Sequence, residues 1–118
     1  GGQEAYFSSL PVRASFERLR AAREPVEISY TAGTYVCNHV FYEGQRISRE
    51  LGLSIPAGFV HVPATRADGE DATEDTGMTA HRDAGGVVRD ERGVPHLPES
   101  TVVRIIAEVA SDTLPVAE

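Results

Sequence analysis

Apolar residues recur at two different periods along this chain, and the periods divide it into elements. From Pro11 to about Arg23, Val12, Phe16 and Leu19 return at helical spacing between arginines, which predicts an amphipathic helix. Ser9 precedes it as an N-cap, Pro11 suits its first turn, and Glu24-Pro25 stops it. Val26-Glu27-Ile28-Ser29-Tyr30 alternates apolar and polar, the period of a half-buried strand. After a turn over Thr31 to Thr34, a second helix is expected from about Tyr35 to Leu51. Val36, Val40, Ile47 and Leu51 form its core-facing stripe, Gly44 weakens it, and Gly52 closes it. Ala57-Gly58-Phe59-Val60-His61-Val62 reads as a second strand, ended by Pro63. Strand, helix and strand in this order make a βαβ unit, with parallel pairing and a right-handed crossover.

The periodicity disappears from Ala64 to about Leu97. Asp68, Glu70, Asp71, Glu74 and Asp75, followed by Gly77, Gly85, Gly86, Gly93 and Pro95, describe a long acidic loop, either disordered or functional by its length, its acidic residues read as solvated surface rather than a ligand site. Pro98-Glu99-Ser100-Thr101 opens a final helix, to which Val102, Val103, Ile105, Ile106 and Val109 give a wide apolar face. The expected fold class is α/β, part of a three-layer α/β/α sandwich with a mostly parallel sheet. Two parallel strands are less sheet than the helices need, so the sheet is expected to be incomplete.

Composition narrows the function classes. The chain has 118 residues, enough for one domain. Its 18 acidic residues against 11 basic ones, all arginine, give a net charge of −7, which argues against a nucleic-acid partner. One cysteine excludes an internal disulfide and fits a reducing compartment. No apolar run is long enough to span a membrane and no signal peptide opens the chain, so the expected location is the cytoplasm. The opening Gly1-Gly2-Gln3, without methionine, fits a trimmed or tagged terminus, or a polypeptide without its natural start.

The candidate chemistry centres on Cys37, which falls where strand, glycine turn and helix meet. A sulfur at a helix start lies beside free N–H groups and the positive end of the helix dipole, and both favour the nucleophilic thiolate. Cysteine acyl transfer also needs a histidine. His39 is two positions along the same helix and faces elsewhere, and His81 and His96 lie in the irregular stretch. His61 falls near the C-terminal end of the second expected strand. In a parallel sheet that end shares an edge with the start of the cysteine helix, where α/β sheets place their sites. The bland readings stand beside this one: a lone cysteine in an apolar helix as inert core, and a histidine among Phe59, Val60 and Val62 as a satisfied interior residue. Asn38 and His39 read as structural or surface residues. One cysteine and scattered histidines match no zinc spacing, and no metal is expected.

Thr31-Ala32-Gly33-Thr34-Tyr35-Val36-Cys37-Asn38-His39-Val40-Phe41-Tyr42 resembles the active-site segment of the pyroglutamyl-peptidase I, or pyrrolidone-carboxylate peptidase, family of cysteine peptidases. Gly58-Phe59-Val60-His61-Val62-Pro63 resembles the same family's histidine strand, and Ala5-Tyr6-Phe7-Ser8-Ser9-Leu10-Pro11 its lead-in to the preceding helix. The resemblance implies that residues 1–118 are the C-terminal portion of one α/β peptidase domain, with 64–97 as its long acidic loop. It implies Cys37 as nucleophile, His61 as acid and base, and Tyr35 and Val36 as part of the lactam-ring pocket. It implies peptides with N-terminal pyroglutamate as substrates, no cofactor, and leaves room for a homo-oligomer. The family's catalytic glutamate belongs to an upstream half that this chain does not match. Glu4, Glu17, Glu24 and Glu27 fit no such motif. The alternatives are a non-catalytic truncated paralogue that keeps the scaffold, and a redox-sensing thiol, for which a resolving cysteine is lacking.

Overall fold

Helices form where the apolar period and the end signals agree. The computed structural model describes residues 2–68, 81–82, 87–89 and 93–114. Its elements are α1 (Val12–Ala21), α2 (Val36–Glu50), β1 (Ala64–Arg66), β2 (His81–Arg82), β3 (Val88–Arg89), β4 (Pro95–Pro98) and α3 (Glu99–Ser111). All three helices lie where periodicity puts them. Gly52 closes α2 with a left-handed φ of 64°, its N–H donating to Arg49 O and that of Leu53 to Ser48 O. Arg23 closes α1 in the same way, with a φ of 62° that glycine adopts more readily. Ser9 does not cap α1; the N-cap is Pro11, and the Ser9 hydroxyl is used elsewhere. Among the described residues, no helix is long and apolar enough to cross a membrane.

The strands depart from the expected layout. Residues 26–30 and 57–62 carry no regular structure and join no ladder among the described residues, so the expected βαβ unit around Cys37 does not form as paired strands. The sheet instead arises within the stretch read as an acidic loop, in the order β1-β4-β3-β2. Only β1 and β4 pair in parallel, with Ala64 opposite His96; β3 pairs antiparallel with both β4 and β2. The fold is α/β with a small mixed sheet rather than a mostly parallel one. A strand is defined by its partner, and the described residues offer none to 26–30 or 57–62. Glu70, Asp71, Glu74, Asp75, Gly77, Gly85 and Gly86 lie outside the described residues.

The core sits between this sheet and two helices. Leu19 of α1, Val88 and Leu97 of the sheet, and Val102 and Ile105 of α3 are buried together. Arg18 bridges α1 to α3, donating to Glu108 Oε2 at 2.6 Å and Asp112 Oδ2 at 2.8 Å. The buried Ser15 hydroxyl also donates to Asp112 Oδ2, at 2.7 Å. Arg104 of α3 grips Glu24 with two nitrogens, at 2.7 and 3.1 Å. Asp68 is exposed, as a solvated loop residue should be, and its Oδ1 also accepts from the N–H of Ser100 at 3.1 Å and from its hydroxyl at 2.9 Å. Pro98 caps α3 without a polar side chain, so Asp68 supplies from a distance the acceptor that a cap residue would.

α2 packs on no other helix or strand among the described residues. Its expected core stripe is exposed, from Ile47 at 45% to Val36 at 73%, whereas Gln45 is buried at 6%. The reason is the missing layer: the stripe has the right period, but among the described residues α2 meets only irregular segments, residues 53–59 and the lead-in around Gln3 and Tyr6.

Two consequences can be measured. Hydrogen bonds from Arg18 and then Ser15 hold the Asp112 carboxyl below the ordinary carboxylate range. The stability it contributes is present above an unfolded value of about 3.9 and is lost as pH falls through the lower folded value. Asp112→Asn is therefore expected to flatten the fall in urea midpoint on acidification below about pH 4, relative to the parent chain. Asp68→Ala is expected to cost about 1 kcal/mol in chemical denaturation, the usual cost of an unfilled helix cap.

Candidate active site

The approach to Cys37 is a turn held by its own side chains. Ser29 Oγ donates to Thr31 O at 2.7 Å, and the Gly33 N–H donates to Thr31 Oγ1 at 3.0 Å. Gly33 has a φ of 87°, which other residues adopt with strain, and it lies in the turn that leads into α2. Tyr35 is the N-cap, with no side-chain capping bond. Its carbonyl accepts the first helical bond, from His39 N–H at 3.2 Å. The N–H groups of Val36, Cys37 and Asn38 thus stand before the first intrahelical donor, with the positive end of the helix dipole behind them. Cys37, at the second helical position, is half-buried. Tyr35 and Val36 are exposed.

A row of contacts sets the histidine segment against the same helix face. Cys37, Phe41 and Gln45 follow one another at four-residue spacing along α2. Gln45 Nε2 donates to Ala57 O at 3.0 Å, and the Phe41 ring meets the Phe59 ring edge-on at 6.5 Å between centroids. Phe59 in turn meets the His61 ring edge-on at 5.9 Å. Four helical residues rise about 6 Å, and two extended residues about 6.7 Å. The segment therefore runs antiparallel to α2 almost in step: Ala57 opposite Gln45, Phe59 opposite Phe41. Cys37 lies one repeat further along α2 and is half-buried, and His61 lies one repeat further along the segment and is exposed.

The other polar candidates lie elsewhere. His39 shares a helix face with Glu43. The carboxyl of Glu43 is held below its ordinary range first by the hydrogen bond from Arg46, then by the charges of Arg46 and His39, against the effect of burial. His81 and His96 belong to the sheet. Glu24 is committed to Arg104. Among the described residues, no three His, Cys, Asp or Glu side chains gather as a metal site.

Phe41, Gln45 and Phe59 escape the sequence reading. Their signal was present: Phe41 and Gln45 continue the Cys37 row, and Phe59 precedes His61 by one strand repeat. Gln45 interrupts an apolar row, and that interruption marks the polar group it must meet. Beside this row lies an apolar groove of about 380 Å³ between α2 and residues 53–59, walled by Val40, Ile47, Leu53 and Ile55.

The segments that build this geometry are those shared with known proteins. A profile of the pyroglutamyl peptidase family matches residues 1–83. Pyrrolidone-carboxylate peptidase 1 of Ralstonia nicotianae is 51% identical over 63 residues, covering 53% of this chain and 29% of the relative. Pyrrolidone-carboxylate peptidase of Halalkalibacterium halodurans is 51% identical over 67 residues, 56% of this chain and 33% of that protein. Its counterpart from Lacticaseibacillus paracasei is 47% identical over 62 residues, 52% of this chain and 29% of the relative. The matched part thus spans about a third of these relatives or less. With the family profile covering well over half of its residues, the chain belongs to the pyroglutamyl peptidase family.

Proposed function

We propose that this chain carries the nucleophile and the acid–base group of a thiol peptidase that removes N-terminal pyroglutamate from peptides. The observation that supports it is the pairing of Gln45 with Ala57 and of Phe41 with Phe59, with Cys37 and His61 each one repeat further along α2 and the segment. The Cys37 thiolate attacks the carbonyl carbon joining the pyroglutamyl residue to the next one, forming a C–S bond and an oxyanion. The free N–H groups at the start of α2 receive that oxyanion. Protonated His61 gives its proton to the departing amine as the C–N bond breaks. It then takes a proton from water, whose oxygen attacks the thioester and releases pyroglutamate and the thiolate. The exposed Tyr35 and Val36, just before the nucleophile, line part of the lactam pocket. No cofactor takes part.

The third catalytic group, a glutamate that orients the histidine, belongs to family sequence outside the matched part. In the whole enzyme the segments 26–30 and 57–62 become parallel strands of a three-layer α/β/α sandwich. That reading is supported by the alternating pattern of 26–30 and the apolar run of 57–62. These 118 residues alone are then nearly inactive. The enzyme acts in the cytoplasm, in keeping with its single cysteine, and its assembly state is open to self-association. A non-catalytic paralogue that keeps the scaffold is the second reading, favoured by one observation: the core-type stripe of α2 is exposed.

With the remaining family sequence present, Cys37→Ser is expected to lower turnover of a fluorogenic pyroglutamyl amide at least about a thousandfold. His61→Ala is expected to lower it about a hundredfold or more. Neither residue belongs to the buried core, so circular dichroism and Tm should hardly change. Turnover like the parent's in either variant would overturn the assignment.

A further inference from the structure

His61 stands where packing does little to place it. Its side chain is exposed, and among the described residues its ring meets that of Phe59, edge-on at 5.9 Å between centroids. Residues 57–62 join no ladder among the described residues, so backbone pairing does not fix their place along α2 either. Two side-chain links from α2 do. The Phe41 and Phe59 rings are 6.5 Å apart between centroids, near the far end of the range for such pairs, where the contact tolerates sliding. The Gln45 amide is stricter. Its Nε2 donates to Ala57 O at 3.0 Å, and a shift of about 0.5 Å is enough to break a bond of that length.

Gln45 also breaks the pattern of its own helix. It is the buried residue of α2, while the apolar Val36, Val40 and Ile47 are exposed. Burying a polar side chain costs free energy unless its polar atoms are bonded, so the burial serves the bond rather than apolar packing. The Ala57 carbonyl does not require that bond, because it already accepts from Ser9 N–H at 2.8 Å. Ala57 N–H in turn donates to Ser9 Oγ at 2.9 Å. Those Ser9 bonds tie the segment to the lead-in before α1. The Gln45 amide adds the link to the helix that bears Cys37.

We propose that Gln45 is a positioning residue for His61: by holding Ala57 it fixes the register of the histidine segment along α2. The inference rests on the catalytic reading of Cys37 and His61. Without the amide the segment slides, and His61 delivers its proton to the departing amine from a poorer position. Tyr35 and Val36, at the far end of α2, keep their place, so substrate binding is little affected.

The test uses Gln45→Met and Gln45→Glu with the remaining family sequence present. Methionine keeps the unbranched length and the helix propensity of glutamine and removes the donor. Gln45→Met is expected to lower kcat about tenfold or more, with KM changed less than about twofold and Tm hardly moved. Alkylation of Cys37 by iodoacetamide, followed against pH, reads the thiolate that a protonated His61 favours. Its midpoint is expected to rise in Gln45→Met, in the same direction as in His61→Ala. In Gln45→Glu only the protonated carboxyl donates to Ala57 O, so its turnover relative to the parent at the same pH is expected to recover as pH falls. Parent-like kcat and alkylation in Gln45→Met, beside a His61→Ala variant that loses both, overturn the positioning role and leave the catalytic reading standing. A lowered Tm with unchanged kcat per reactive thiol shows a structural role alone and also overturns it. Parent-like turnover in His61→Ala overturns both.

Discussion

The Ala57 peptide group is the point through which the site is held together. Its carbonyl accepts from Ser9 N–H at 2.8 Å and from Gln45 Nε2 at 3.0 Å, while its N–H donates to Ser9 Oγ at 2.9 Å. Three stretches distant in sequence, the lead-in before α1, the middle of α2 and the histidine segment, are tied at one residue. A buried Gln45 without this acceptor would bear an unsatisfied amide costing about 1–3 kcal/mol. Gly58 completes the fit, because a side chain there would collide with Ser8 and Leu10. The Phe59 ring, in contact with both Phe41 and His61, continues that attachment along the segment.

The molecule relies on different forces in different places. Around α1, α3 and the sheet, ordinary apolar burial works with the charged links of Arg18 and Arg104. Around α2, directional polar bonds and ring contacts do most of the positioning, and apolar surface is left in contact with water. Surface ion pairs contribute little each, so the α1–α3 links serve alignment more than stability. The consequence for function is that the half of the molecule bearing Cys37 is the half with least packing behind it.

Much of this was legible in the residues. The period of apolar positions located all three helices to within two residues, Gly52 marked the end of α2, and two motif-like segments singled out Cys37 and His61. Helices are readable because their hydrogen bonds close within four residues. The sheet was not readable. Its strands are two to four residues long, too short to display a period, and they emerge in a stretch whose acidic residues and glycines suggested a loop. Ser9 was misread for a related reason: a serine before a helix can cap it or bond a distant backbone group, and only Ala57 decides between them.

By itself the sequence determined the helices, the glycine turn that delivers Cys37 to the start of α2, and membership of a family through residues clustered around that cysteine and His61. These are properties of local bonding and local pattern. Only the tertiary structure decided that segments 26–30 and 57–62 join no ladder among the described residues and that the apolar stripe of α2 is exposed. It also decided that Gln45 and two phenylalanines bring the histidine segment into step with the cysteine helix. Pairing and burial depend on what arrives from elsewhere in the chain, and no local pattern carries that information.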